Sequence, residues 1–243
     1  MKKVSIIIPA YNEQNRIEKT IITYVNYFRE NPHCSVDFIV VLNGCTDNTE
    51  RVVMKLKEAY LEVSMIKIAQ SGKGLAIKKG FEEALKKSGE LIGFVDADMA
   101  TQPEYFNDLI NNIGKNDGII ASRYMKGSYV YPSRPFIKKW GRFIFYQSLV
   151  YLLFGLRYKD LQCGAKLFKK KVIQKITPML NINQWAFDVE ILYLCKKYNF
   201  VIQELPTVWY DQLESKLQTF SSGVKMLQSL FKLWWQSKDT KLL

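Results

Sequence analysis

The stretch Leu91–Thr101, LIGFVDADMAT, decides how this chain is interpreted. Its first part, Leu91–Val95, has the apolar character of a buried strand, and Asp96 and Asp98 follow directly. Residues two apart in a strand point to the same side. The two carboxylates should therefore converge where the chain leaves a sheet, the usual place for a site in open α/β folds. A divalent cation would relieve their repulsion and would imply a phosphate-bearing substrate, although two solvated acids at a strand end fit so short a motif as well.

Strand and helix patterns alternate through the first 122 residues. The predicted strands are Val4–Ile8, Val36–Leu42, Val63–Ile68, Leu91–Val95 and Gly118–Ala121. The predicted helices between them are Glu13–Phe28, Asp47–Tyr60, Gly74–Lys87 and Pro103–Ile113. Repeated strand–helix units build a mostly parallel sheet with helices on both faces. The sequence therefore predicts an α/β fold.

After Ser122 the pattern changes. Residues 125–139 form a Gly-, Pro- and Tyr-rich basic loop, longer than most connections and therefore expected to be functional. The later predicted elements are helices at about Trp140–Leu156, Lys170–Met179, Ala186–Lys197 and Ser222–Gln236 and a strand at Val201–Leu205. No apolar run has the length of a membrane-spanning helix. Phe143–Leu156 comes nearest, and a core helix is favoured over one at a membrane interface.

Composition narrows the class of protein. An apolar content of 48% in 243 residues, with 24% charged residues, is typical of a globular chain and excludes disorder as the main state. The formal net charge of +12 indicates an anionic partner: nucleic acid, a phosphorylated substrate or a membrane surface. The 4 cysteines are scattered without a CxxC pair, which indicates a reducing compartment and neither a disulfide framework nor a zinc site.

Three more polar segments follow predicted strands at the same edge of the sheet as Asp96 and Asp98. Pro9–Glu13 offers an aromatic ring and a carboxylate, and Asn43–Thr49 is rich in polar residues. Ser71–Gly74 places glycines around a lysine at a helix start, where an anion is favoured. Each segment alone is explained by a turn or a helix cap. Their convergence favours a bound nucleotide diphosphate with a metal.

These segments together resemble a family 2 glycosyltransferase of GT-A fold. The motifs that carry this resemblance are Val4–Glu13, Asn43–Thr49, Gly72–Gly74 and Asp96–Asp98. The later half contains three further motifs, Ser122–Tyr124, Asp160–Phe168 and Trp185–Glu190. With them the chain resembles the dolichyl-phosphate glucosyltransferases, which with their mannosyl relatives move a sugar from a nucleotide donor to a polyprenyl phosphate.

The resemblance implies a Rossmann-like GT-A fold with a helical, acceptor-binding C-terminal portion. Residues 1–122 would be the nucleotide-sugar-binding half and residues 123–243 the acceptor-binding half, with an amphipathic C-terminal helix, of one continuous catalytic domain. The implied donor-binding residues are Pro9, Ala10, Tyr11, Glu13, Asn43, Lys73, Asp96, Ala97 and Asp98. Asp96 and Asp98 would hold Mg²⁺ or Mn²⁺, which neutralises charge on the departing nucleotide, and the reaction would invert the anomeric centre.

The acceptor side lacks a histidine base, because the single histidine, His33, is far in sequence from every motif. Asp160, Asp188 and Glu190 remain as candidates, and Asp160 and Asp188 are the predicted catalytic residues. An alcohol acceptor needs such a base, whereas a phosphate is already anionic and needs cations. The predicted phosphate-binding residues are Arg123, Arg134, Lys139, Arg142 and Lys166.

Three hypotheses follow. The leading one is metal-dependent transfer of a hexose, with UDP-glucose favoured as donor, to a polyprenyl phosphate by an enzyme bound peripherally to the inner, cytoplasmic face of a membrane. The alternative is a soluble family 2 transferase with a saccharide or protein acceptor and a true carboxylate base. A non-catalytic nucleic-acid-binding module is remote, because the basic residues are spread along the chain, and no nucleic-acid partner is expected.

Overall fold

The computed structural model describes residues 1–132, 137–184, 186–212 and 220–239, without the side chains of residues 137–144, 220–225, 237 and 239. The strands are β1 (Lys2–Ala10), β2 (Cys34–Asn43), β3 (Val63–Ile68), β4 (Leu91–Phe94), β5 (Gly118–Ser122), β6 (Tyr129–Tyr131), β7 (Lys166–Lys169), β8 (Ile202–Pro206) and β9 (Val208–Tyr210). The helices are α1 (Ile17–Glu30), α2 (Thr49–Ala59), α3 (Lys73–Lys86), α4 (Pro103–Asn112), α5 (Ile137–Phe154), α6 (Lys170–Ile176), α7 (Phe187–Lys197) and α8 (Phe220–Asp239).

The main sheet has the strand order β3-β2-β1-β4-β7-β5-β8. Its strands run parallel except for β7, which lies antiparallel between β4 and β5. A separate ribbon pairs β6 with β9 in parallel. The predicted α/β class is confirmed. Both halves of the chain contribute strands to the main sheet, and the functional division at residue 122 stays a prediction.

Strand β1 carries apolar side chains on both faces because helices cover the sheet on both sides. Ile6 and Ile8 pack in one core layer and Ile7 in the other. Helix α3 lies directly on β1, since a Cβ at Gly80 would clash with the Ile7 side chain. This close approach places the first residue of α3, Lys73, at the carboxyl edge of the sheet.

The structure differs from the sequence prediction after residue 122. Strand β6 lies within the predicted loop 125–139, and β9 follows Pro206, where no strand is predicted. The helix predicted to end at Met179 ends at Ile176 and continues as a 3₁₀ turn, Thr177–Met179. Pro178 explains the break, because proline lacks the N–H that an α-helical hydrogen bond requires.

Helix α5 has one buried face and one exposed face along its described side chains. Tyr146, Val150 and Phe154 lie in the core, whereas Phe145 and Leu152 are exposed. Among the described residues, no helix combines the length and apolar character needed to cross a membrane.

Candidate active site

The loops that follow β1, β2 and β3 meet through the side chain of Asn43. Its Nδ2 donates to the Ala10 carbonyl at 2.8 Å, and its Oδ1 accepts from the Gly72 N–H at 3.1 Å. The side chain is buried, so both hydrogen bonds are made away from water and are costly to break. Asn43 therefore holds the edge of the sheet together, and its predicted contact with the donor stays a prediction.

Asp96 lies at the end of β4 and forms an ion pair with Lys73, and both side chains are partly exposed. Burial alone would lower the pKa of Lys73, but the charges of Asp96 and Asp188 raise it above its ordinary value. The backbone of Gly164 lies against the Asp96 carboxylate so closely that a Cβ at Gly164 would clash with it. Gly164 therefore fixes the position of Asp96.

Asp98 lies one residue beyond Ala97, whose carbonyl accepts a 2.8 Å hydrogen bond from Thr20 Oγ1. Asp98 Oδ1 accepts from the Ala100 N–H at 3.0 Å. Burial and the neighbouring charge of Asp96 raise the pKa of Asp98 to about 6. Burial and like charge therefore both disfavour the ionised form of Asp98, and a bound cation would favour it.

Lys166 and Asp188 form a second, buried ion pair. Lys166 Nζ donates at 2.6 Å both to Asp188 Oδ1 and to the Cys163 carbonyl, and it lies 5.4 Å from the centre of the Phe94 ring. Burial raises the pKa of Asp188, against the opposing effects of Lys166 and Lys73. The ammonium of Lys166 is thus occupied within the protein, and its predicted contact with an acceptor phosphate stays a prediction.

Asp160 is buried and bound by Arg123 through a fork. Arg123 Nε and Nη2 donate to its two oxygens at 2.7 and 2.9 Å, and the Arg123 N–H adds a bond at 3.0 Å. Burial raises the pKa of Asp160, but the Arg123 charge and hydrogen bonds outweigh it and hold that pKa below its ordinary value. A carboxylate in this state is a poor proton acceptor, and its predicted catalytic role stays a prediction.

The remaining predicted residues divide between edge and interior. Pro9 is buried, Tyr11 is exposed at the end of β1, and Glu13 accepts from Arg16 at 2.7 and 2.8 Å. The third candidate base, Glu190, accepts instead from two backbone N–H groups at 2.8 and 2.9 Å. Arg134 lies outside the described residues, as do the side chains of Lys139 and Arg142.

Sequence reasoning missed two residues of this region. Gly164 is part of the quoted motif Asp160–Phe168, but its contact with Asp96 depends on the antiparallel placement of β7. Tyr146 is buried, and its hydroxyl has no hydrogen-bond partner among the described residues. Burial, and secondarily the charge of Asp188, raise the pKa of Tyr146. No pattern around Tyr146 in the sequence indicates that its hydroxyl is buried.

The donor set suits Mg²⁺ or Mn²⁺ bound together with a nucleotide. The described residues contain no group of three or more His, Cys, Asp or Glu side chains that could hold a metal, so Asp96 and Asp98 offer two carboxylates and no third. Mg²⁺ is usually bound by one or two carboxylates, with substrate phosphates and waters completing its shell. The mutual repulsion of the two carboxylates also favours a cation between them.

The profile of the family described as "Glycosyl transferase family 2" matches residues 5–177. The chain belongs to glycosyl transferase family 2. Curated relatives of this transferase include the dolichyl-phosphate beta-glucosyltransferase of Dictyostelium discoideum, which is 35% identical over 95% of this chain and 73% of its own length. The enzymes of that name from Saccharomyces cerevisiae and Homo sapiens are 32% and 30% identical, over 93% and 94% of this chain and 72% and 74% of their own lengths.

Solved structures confirm the GT-A fold of the transferase. The glucosyl-3-phosphoglycerate synthase of Mycobacterium tuberculosis, solved with Mn²⁺, UDP and phosphoglyceric acid, superposes with a TM-score of 0.64 over 96% of this chain and 78% of that chain, at 16% identity. The mannosyltransferase PcManGT of Pyrobaculum calidifontis, solved with GDP-Man and Mn²⁺, gives 0.56 over 88% of this chain and 57% of that chain, at 14% identity.

We predict that Gly164→Ala weakens the binding of Mn²⁺ and UDP at least tenfold. The added methyl group displaces the Asp96 carboxylate and costs about 1–3 kcal/mol of stability through overpacking. Isothermal titration calorimetry of the transferase measures the affinity. Gly89→Ala, where a Cβ would lie 3.1 Å from the Ser5 hydroxyl, is the matched control and should bind as the wild type does. Unchanged affinity in Gly164→Ala would show that Asp96 is not fixed by this contact.

We also predict that Asp98→Asn stabilises the metal-free transferase at pH 7. The pKa of Asp98 is about 6 in the folded protein, above the ordinary value of 3.8, so the folded state binds this proton more tightly than the unfolded state does. The resulting stability is present below pH 4 and is lost as the pH rises through about 6. The variant avoids this loss and should gain about 2–3 kcal/mol at pH 7 and less than about 1 kcal/mol at pH 4. Urea unfolding in EDTA at both pH values measures the difference.

The control for that experiment is Glu58→Gln, which removes an exposed acid on α2 and should unfold as the wild type does at both pH values. An Asp98→Asn variant no more stable than wild type at pH 7 would contradict the assigned repulsion.

Proposed function

We propose that this family 2 transferase moves glucose from UDP-glucose to a polyprenyl phosphate, with inversion, at a site where Asp96 and Asp98 hold Mg²⁺ or Mn²⁺. The observation that carries the proposal is the state of the candidate bases. Asp160 is held by Arg123 and Asp188 by Lys166, so neither is free to take a proton from an alcohol. A phosphate acceptor, which arrives ionised, requires no such base.

On the donor side, the bound cation would supply Lewis-acid stabilisation of the departing UDP. Lys73 lies at the amino end of α3 and is paired with Asp96. Once a cation takes that carboxylate, the ammonium would turn to the diphosphate, for which a helix N-terminus is also favourable. Tyr11 is exposed at the end of β1 and would contact the nucleoside.

In the reaction, an oxygen of the acceptor phosphate attacks the anomeric carbon of the glucose. A bond forms between that carbon and the phosphate oxygen, and the bond to the UDP oxygen breaks, with its electron pair leaving on UDP. No proton moves. Positioning and charge stabilisation supply the catalysis, and Arg123 with the basic residues that begin α5, among them Lys139 and Arg142, would orient the acceptor.

The choice of a lipid acceptor is supported by the relatives from three eukaryotes, whose shared name specifies dolichyl phosphate. Exposed apolar side chains on α5 and α8 also support a lipid acceptor. Phe145 and Leu152 of α5 and Phe231 and Trp235 of α8 are exposed, and the chain carries a net charge of +12. Apolar helix faces and positive charge both favour the surface of an anionic bilayer. We therefore place the enzyme peripherally on the inner, cytoplasmic face of the membrane.

The direct test incubates the enzyme with radiolabelled UDP-glucose and polyprenyl phosphate in detergent, with Mn²⁺ or EDTA. We expect label in the lipid fraction with Mn²⁺, none with EDTA, and none when the prenyl alcohol replaces its phosphate. Asp96→Asn should lose at least 100-fold in rate. Asp108→Asn, at an exposed position on α4, should remain active. Transfer to saccharides with none to the lipid phosphate would refute the proposal.

A further inference from the structure

The β6–β9 ribbon is anchored beside the predicted metal ligands. The Tyr210 N–H of β9 donates to the Ala100 carbonyl at 2.8 Å, and the Ala100 N–H donates to Asp98 Oδ1 at 3.0 Å. At its other side, the ribbon reaches the main sheet where the Thr207 N–H donates to the Ser122 carbonyl at 3.2 Å. The ribbon therefore lies at the carboxyl edge, next to both Asp98 and Arg123.

The two faces of this ribbon differ in character. Val130 and Trp209 pack against the core, and the Trp209 ring lies 4.9 Å from the Arg123 guanidinium. The opposite face, here called the tyrosine face, consists of Tyr129, Tyr131 and Tyr210, which are 60%, 52% and 37% exposed. Val208, opposite Tyr129 in the register, completes it. Attachment to the core uses the first face, the Tyr210 side chain also hydrogen-bonds with Tyr105 of α4, and the rings of Tyr129 and Tyr131 stay more than half exposed.

The tyrosine face is organised before any ligand arrives. The rings of Tyr131 and Tyr210 stack with centroids 5.8 Å apart and planes inclined by 23°. Flat rings with two rotatable bonds lose little conformational freedom when they bind, and exposed apolar surface beside a reaction site is typical of a binding surface. The face therefore fits a ligand that is apolar, flat and close to Asp98.

We infer that the tyrosine face holds the first isoprene units of the lipid acceptor, an inference that rests on the proposed function. An isoprenoid chain is apolar and carries planar double bonds, which suit the ring faces, while the phenol hydroxyls stay in water or among lipid headgroups. The four side chains of the face are three phenols and a valine, and the neighbouring amide of Gln212 donates to the Tyr210 carbonyl at 3.5 Å. This composition favours the lipid over a saccharide.

The length of the β6–β9 ribbon limits its contact with the acceptor to the first part of the prenyl chain. A strand of three residues spans roughly 7 Å between its first and last Cα atoms. Arg123 lies against Trp209 on the inner face of the ribbon, so the phosphate would bind at the edge of the ribbon, between that face and the tyrosine face. From this edge the prenyl chain would cross the rings of Tyr131 and Tyr210, and the rest of it would extend beyond the ribbon.

The test compares acceptors of two chain lengths in detergent, dimethylallyl phosphate with five carbons and geranylgeranyl phosphate with twenty. The Tyr131→Ser/Tyr210→Ser double variant removes the rings, and Tyr131→Phe/Tyr210→Phe keeps them. We expect the wild type and the Phe variant to prefer the longer acceptor by the same factor. The Ser variant should lose about tenfold of that preference in kcat/KM, through KM, with the KM for UDP-glucose unchanged.

Two further variants keep the test decisive. Leu61→Ser removes a fully exposed apolar side chain elsewhere and should leave the chain-length preference as it is. If the double Ser variant does not fold, Tyr129→Ser, which removes the most exposed ring of the face, should lower the preference in the same direction.

Three results would overturn the inference: a Ser variant with the wild-type preference, one that loses activity equally with both acceptors, and one that changes only binding to anionic vesicles. The last would assign the face to the bilayer surface. Failure of the proposed function is seen separately, because the wild type would then transfer glucose to neither lipid phosphate, and the inference would fall with it.

Discussion

The repulsion among carboxylates at the end of β4 is the constraint around which the site is built. Asp96, Asp98 and Asp188 share a region in which Lys73 and Lys166 supply the ammonium groups that pair with two of them. Among the described residues no lysine or arginine forms an ion pair with Asp98, and burial together with the charge of Asp96 raises its pKa to about 6. Under the proposed function, a cation and a diphosphate would resolve this unfavourable arrangement. Strain held at a site by its surroundings is a common feature of enzymes.

The two ion pairs of this region have different physical characters. The Lys166–Asp188 pair is buried, and removal of either partner would leave an uncompensated charge in the interior, which costs several kcal/mol. The Lys73–Asp96 pair is partly exposed, so its partners can separate when other charges arrive. We therefore propose that the inner pair is a fixed support and that the outer pair would exchange its partners when the donor binds. Glycine backbones make this possible, Gly80 under α3 and Gly164 against Asp96.

Local patterns were sufficient to predict the first half of the fold and the polar loops at the edge of the sheet. Strand and helix periodicity located β1 to β5, and the Asp-x-Asp motif located the carboxylates at the sheet edge. What could not be predicted depends on distant partners. The fork between Arg123 and Asp160 spans 37 positions and the Lys166–Asp188 bond 22. The sequence alone does not show that Lys166 is buried, so this lysine within a motif was predicted to bind a ligand. Nothing in the sequence of Lys166–Lys169 indicates that this strand runs antiparallel in the middle of the sheet.

We propose that Asp96 and Asp98 form half of a metal site, which the diphosphate of the donor would complete. Titration of Mn²⁺ with and without UDP, followed by electron paramagnetic resonance, measures whether the two ligands share this site. We expect UDP to tighten Mn²⁺ binding at least tenfold and Mn²⁺ to tighten UDP binding by the same factor, because the coupling is reciprocal. Mn²⁺ binding of equal affinity with and without UDP would contradict it.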